Sequence, residues 1–442
     1  MNISFSPPDI SEREIEEVTA ALRSGWITTG PKTKLFEKKI AAYCGTNKAV
    51  CLNSATAALE MTLRLLGIGP GDEVITSAYT YTASASVIDH VGAKIVLVDV
   101  EPGKFTIDCD KLADAITPRT KAVIPVDIGG VPCDYARVIA AVESKKHLFS
   151  PDDNKYLRTF DRPVILADAA HSFRRAAGPN SCISTRANTD SRCDAGEENH
   201  LDINASTPST KQQYNSPKAN TTSHSSRPDF TSFSFHAVKN LTTAEGGAVI
   251  WQAHEGIDDE ELYHDYMLIS LHGQSKDAFA KLRPGAWEYD LIYPGYKCNM
   301  TDITAGIGLA QLERYDGLIA RRLELVRKYD AAFLPLGADR LDHFIPGREG
   351  NGHLYMLRPA GIDEETRNLL IDRMAEAGVA CNVHFKPLPM HTAYKRLGFD
   401  IADYPNAYRQ YASEISLPIH TRLTDDEADY VASTMAKLIS SL

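Results

Sequence analysis

Long apolar runs are missing from this sequence. Nothing in its 442 residues approaches the roughly 20 consecutive apolar side chains of a bilayer-spanning helix, so no membrane span and no membrane partner are expected. The opening residues, Met1-Asn2-Ile3-Ser4-Phe5, lack a basic stretch followed by an apolar one, and no secretory leader is expected. Cysteine is sparse. The eight residues are scattered and form no Cys-x-x-Cys pair, which argues against a disulfide frame or a zinc site and for reduced thiols in a cytoplasmic protein without a metal. Positive charge is in deficit: 47 Lys and Arg against 58 Asp and Glu leave a net charge of −11, which disfavours nucleic acid as a partner. An anionic ligand must therefore be held by a local basic pocket. Internal repeats are absent as well.

What is present is a regular alternation. Short apolar strands are predicted over 49–52, 73–76, 94–99, 122–126 and 163–168, with helices over 57–66 and 83–91 between them. Near-continuous apolar strands separated by helices indicate an α/β fold built on a mostly parallel sheet covered on both faces. Ahead of it, 11–43 reads as amphipathic helix broken by a Gly/Pro-bounded loop at 24–31. A strand-like pattern resumes after Thr231 and carries Lys239. Further on come a long helix over 301–333, a strand over 354–359, a helix over 364–377, a strand over 380–385 and a closing helix over 424–442. This predicts a large domain over 1–270 and a smaller α+β domain with its connecting helix over 271–442. Residues 174–228 interrupt the order with Ser, Thr, Asn, Gln and charge. Such a stretch buries too little apolar area to offset its ordering entropy and reads as a flexible polar insertion looped out from the surface.

Chemistry gathers around one lysine. Lys239 stands in Ser234-Phe235-His236-Ala237-Val238-Lys239-Asn240, followed by a turn rich in Thr and Gly. A desolvated lysine amine loses its proton readily and attacks an aldehyde, which is what a pyridoxal phosphate (PLP) Schiff base requires. Asp168 ends an apolar strand, where open α/β sheets place ligand contacts, and a carboxylate there keeps a pyridine nitrogen protonated. His171 follows three residues later. Ser54-Ala55-Thr56-Ala57 opens a helix, a ready phosphate site or a plain N-cap. Ser234 offers another hydroxyl, and Tyr79 or Tyr81 offers an aromatic face.

At these residues the chain resembles the DegT/DnrJ/StrS family of sugar aminotransferases, of the aspartate aminotransferase or fold type I class. The resemblance runs through Gly25-Trp26-Ile27-Thr28-Thr29-Gly30-Pro31, Gly67-Ile68-Gly69-Pro70-Gly71-Asp72-Glu73-Val74, Ala167-Asp168-Ala169-Ala170-His171, Ser234 to Asn240 and Thr301 to Leu312. It implies PLP as cofactor, Lys239 as the Schiff-base lysine, Asp168 at the pyridine nitrogen and His171 near the ring oxygen or edge. It places Tyr81 on the ring face, with Ser54, Thr56, Ala57 and Ser234 at the phosphate. It implies a homodimer with shared sites, in which the partner's loop corresponding to Gly295-Tyr296-Lys297-Cys298-Asn299-Met300 brings Lys297 or Asn299 to the phosphate. Many members carry Gly-Tyr-Asn-Tyr-Arg there, so the contacting residue stays open. Substrate contacts are implied at His384 and Lys386 and, in the Gly25–Pro31 loop, at Trp26 and Thr29.

The implied reaction takes an amino group from an amino acid, glutamate, to a 4-keto sugar nucleotide in amino-sugar and surface-polysaccharide synthesis. Lys239 serves as base and then acid. Amination at sugar carbon 3 and a catalytically impaired PLP-binding homologue are the alternatives. The related sugar dehydratases carry histidine in place of the lysine, and Lys239 argues against that class. The family's short link between the Asp and Lys segments is replaced here by the polar insertion after Phe173.

Overall fold

The structure, a computed structural model, describes residues 1–174, 227–275 and 288–442. Most of the polar stretch at 174–228 lies outside the described residues. Seven strands form one sheet: β1 Ala49–Leu52, β2 Glu73–Ser77, β3 Lys94–Val98, β4 Thr120–Ile124, β5 Val164–Asp168, β6 Phe230–Ser234 and β7 Gly247–Trp251, in the order β1-β7-β6-β5-β4-β2-β3. From β3 to β6 every neighbouring pair is parallel, while β7 runs antiparallel to both β6 and β1. β1, β2, β4, β5 and β7 are buried along their whole length, as their Val, Ile, Leu and Ala content demands of strands covered on both faces. Covering helices follow the strands, at Ala55–Leu65, Ala83–His90, Cys109–Ala115, Tyr135–Ser144 and Asp259–Ser270.

A helix of 32 residues, Asp302–Phe333, packs on the helices Glu12–Ser24, Pro31–Cys44 and Asp425–Ser440. It leads into β8 Asp339–Arg340, β9 Tyr355–Arg358 and β10 Ile415–Leu417, an antiparallel sheet in the order β10-β9-β8. Its core gathers Leu325, Tyr329, Tyr355, Leu370 and Val431, and the N-terminal Ile3 joins it. Among the described residues no helix is long and apolar enough to cross a membrane.

Two expectations change. The strand carrying Lys239 ends at Ser234, and the lysine sits in the turn before β7, where its N–H donates to the His236 carbonyl at 2.8 Å. No strand forms over 380–385. Asn382 pairs with Ser416 across from β10, but the His384 N–H donates to the Glu414 carboxyl group and Pro387 has none to give, so the ladder stops.

Candidate active site

The carboxyl ends of β5 and β6 open into a cavity of about 510 Å³, the position where parallel α/β sheets receive ligands. Lys239, Asp168 and His171 all line it, with Ser54, Thr56 and Ser234 on one side and Tyr81 and His384 on another. Lys239 is partly buried. Desolvation lowers its amine to a pKa of about 8, against the pull of the Asp168 carboxylate toward the charged form. Asp168 is buried at the end of β5. Ser84 Oγ donates to its Oδ2 at 2.6 Å and the Ala170 N–H to its Oδ1 at 3.1 Å. Burial raises its pKa, and these donors hold it down in part.

The Gly129 N–H donates to His171 Nδ1 at 3.1 Å, which leaves the ring proton on Nε2. Burial keeps this imidazole well below the usual histidine range and therefore neutral. Its ring lies 4.4 Å from that of His353 and 5.7 Å from that of Phe385. Tyr81 is 61% exposed and stands at the rim, its ring 5.9 Å from Phe385.

The helix Ala55–Leu65 aims its N-terminus at the cavity. Ser54 caps it by accepting the Ala57 N–H at 3.0 Å, so Ala57 spends its amide on the cap and does not line the cavity. The N–H groups of Ala55 and Thr56 have no acceptor among the described residues. Such orphan donors make an anion site. Gly247 lets β7 pass against this turn: a Cβ there would lie 2.3 Å from the Ser54 carbonyl carbon.

The remaining expected residues stand outside the cavity. Thr29 donates to the Met300 carbonyl at 2.6 Å and accepts from Asn299 Nδ2 at 2.5 Å, and Lys297 Nζ bonds Asn299 Oδ1. Trp26 is half-buried beside Gly30, and Lys386 is exposed.

Sequence reasoning missed a buried polar web behind Lys239. His353 lines the cavity and shares a 3.0 Å bond between its Nδ1 and Asn240 Oδ1. Asn240 donates to the Asn351 carbonyl, and Asn351 donates to the His171 carbonyl at 2.9 Å. The signal was Gly350-Asn351-Gly352-His353, a polar turn set directly before an apolar strand.

The model of the DegT/DnrJ/EryC1/StrS aminotransferase family matches residues 8–153 and 218–436. The chain belongs to this family. A relative 36% identical over 446 residues is the "Spore coat polysaccharide biosynthesis protein SpsC" of Bacillus subtilis, with 99% of this chain and 97% of that protein covered. Among solved structures, "Putative sugar aminotransferase Spr1654" of Streptococcus pneumoniae in its PMP form shares 47% identity over the full length of both chains, with a TM-score of 0.85. Helicobacter pylori PseC, at 24% identity and a TM-score of 0.77, shares the fold.

Proposed function

We propose that this chain is a PLP-dependent aminotransferase that moves an amino group from an amino acid, glutamate, to a 4-keto sugar nucleotide for a surface polysaccharide. One observation carries the reading. A lysine with a lowered pKa shares a cavity with a buried carboxylate and with two unpartnered N–H groups at a helix N-terminus. This donor set fits PLP: an amine for the aldehyde, a carboxylate for the ring nitrogen, and N–H groups with the Ser54, Thr56 and Ser234 hydroxyls for the phosphate. Relatives agree with it, since SpsC is named for polysaccharide biosynthesis and Spr1654 for sugar amination. When bound, PLP supplies an electron sink that lets a proton leave the carbon bearing the amino group.

The chain's own residues do the rest. Lys239 takes that proton and returns it two atoms along, to the carbon on the far side of the amino nitrogen, a task suited to an amine with a pKa of about 8. Asp168, held by Ser84 and the Ala170 N–H, keeps a positive charge on the ring nitrogen. His171 presents Nε2–H to the ring side of the cavity, its tautomer fixed by Gly129. Phe385 walls the ring in, with Tyr81 beside it at the rim. We assign Lys297 or Asn299 to the second subunit's phosphate contact, and Thr29, Trp26 and Lys386, with His384, to substrate. Residues 1–270 form the cofactor-binding domain and 271–442 the smaller one.

An absorbance spectrum tests the reading. The purified protein loaded with PLP has a near-visible band that glutamate bleaches and a 4-keto sugar nucleotide restores. A band that ignores glutamate would remove the donor assignment, and no band at all would remove the site.

A further inference from the structure

One polar edge of the cavity wall is braced from behind by groups without a role so far. His384 is pinned on almost every side. Its N–H donates to Glu414 Oε2 at 2.8 Å, its carbonyl accepts from the Tyr79 hydroxyl at 2.6 Å, and its ring stacks on Phe5 with centroids 5.5 Å apart. Nδ1 lies 2.8 Å from Ser416 Oγ, which lies 2.5 Å from Glu414 Oε1. Nε2 has no hydrogen-bond partner among the described residues, and the residue lines the cavity. Glu414 and Ser416 are fully buried, so neither can turn to water for a partner.

We propose that Glu414 and Ser416 are positioning residues that hold the proton of His384 on Nε2, aiming this N–H at an oxygen of the amino-group acceptor. The line Glu414–Ser416–His384 can run in two directions. With a carboxylate, Ser416 donates to Glu414, Nδ1 keeps the proton and Nε2 is bare. With a neutral carboxyl every bond reverses, Ser416 donates to Nδ1, and the ring proton sits on Nε2. Burial selects the second direction by raising Glu414 to about 8, while burial holds His384 near 4 and uncharged. The other groups facing this line are Arg367, Tyr79 and Cys381 at Glu414, and Lys239, His171 and His353 at His384. The Arg367 guanidinium favours the carboxylate but spends its Nη1 on the Tyr411 and Glu414 carbonyls. An N–H donor suits the carbonyl and hydroxyl oxygens of a keto sugar and repels the ammonium of an amino acid. The identity of the acceptor rests on the function proposed above; the proton position does not.

The test uses the PLP-loaded full-length protein with ¹⁵N-labelled histidine. Long-range ¹H–¹⁵N correlations, with His384 identified by its loss in His384→Gln, report the tautomer at pH 7. The expected result is Nε2–H in the wild type and in Glu414→Gln, whose amide donates to Ser416 as the neutral acid does. An Nδ1–H wild type would overturn the proposal. Kinetically, Ser416→Ala leaves the glutamate half-reaction unchanged and raises KM for UDP-4-keto-6-deoxyglucose by about five-fold or more, the worth of one hydrogen bond. Glu414→Gln stays within about two-fold of wild type. Equal losses in both half-reactions of Ser416→Ala would mark general damage and sink the idea. A wild type inert to glutamate would instead remove the donor assignment and leave the tautomer result to stand alone.

Discussion

Lys239 and Asp168 divide their work through opposed electrostatics. The cavity strips water from the amine and lowers its pKa to about 8, while the carboxylate nearby favours the charged form. An ordinary lysine titrates near 10.4, so Lys239 becomes a nucleophile well before its neighbours as pH rises. Competitive acetylation of the PLP-free protein, read by peptide mass spectrometry, should show Lys239 reacting with a midpoint near pH 8. Asp168→Asn removes the anion that stabilises the ammonium, so that midpoint moves lower still; a move upward would contradict the pairing. Lys239→Ala should abolish turnover yet retain pyridoxamine phosphate, and full turnover without added amines would refute its role. These residues were legible in the sequence because each closes a contiguous strand-and-turn motif. Asn351 and His353 were not, because more than 100 residues separate them from Asn240 and only the folded chain brings His353 Nδ1 within 3.0 Å of its partner.

The element assigned above to phosphate binding is the helix Ala55–Leu65, whose first two amides have no acceptor among the described residues because nothing precedes them in the helical ladder. Its placement depends on β7, which reaches the Ser54–Ala55 turn only because position 247 has no Cβ. Gly247→Ala puts a carbon 2.3 Å from backbone and must push the turn away. We expect a loss of about 1–3 kcal/mol in stability by chemical denaturation and weaker PLP retention on dialysis. Unchanged retention would show that the turn does not hold the phosphate. Strand positions from β1 to β5 were readable from apolar runs, but β7 was not predicted, and its antiparallel direction could not have been, since periodicity carries no sense of direction. The missing strand over 380–385 failed for a different reason: its alternation was right, but a side chain, Glu414, takes the N–H that a neighbouring strand would need.

For the molecule as a whole, five strands of the sheet and the strand-like stretch after Thr231 were legible while β7 was not, and Lys297 and Asn299 stand away from the cavity. If their place is in a second subunit's site, two inactive variants should rescue each other. Mixing Lys239→Ala with Lys297→Ala and refolding together should restore roughly a quarter of wild-type activity, because half of the random dimers are mixed and each mixed dimer assembles one intact site. No recovery from the mixture would confine the site to one chain. A last consequence comes from β5 and β6. Leu166 stands opposite Phe230 and Asp168 opposite Ser232, so the chain leaves the sheet after Asp168 and returns at Phe230 in the very next lane, with about 4.8 Å between lanes. Closing a tether between such neighbouring points costs only about 0.6 kcal/mol for each doubling of its length. The catalytic frame is therefore nearly blind to how much polypeptide is threaded there, and the gap between these two lanes is a natural socket: a foreign domain with adjacent termini, spliced in place of 176–225, should leave the glutamate half-reaction running.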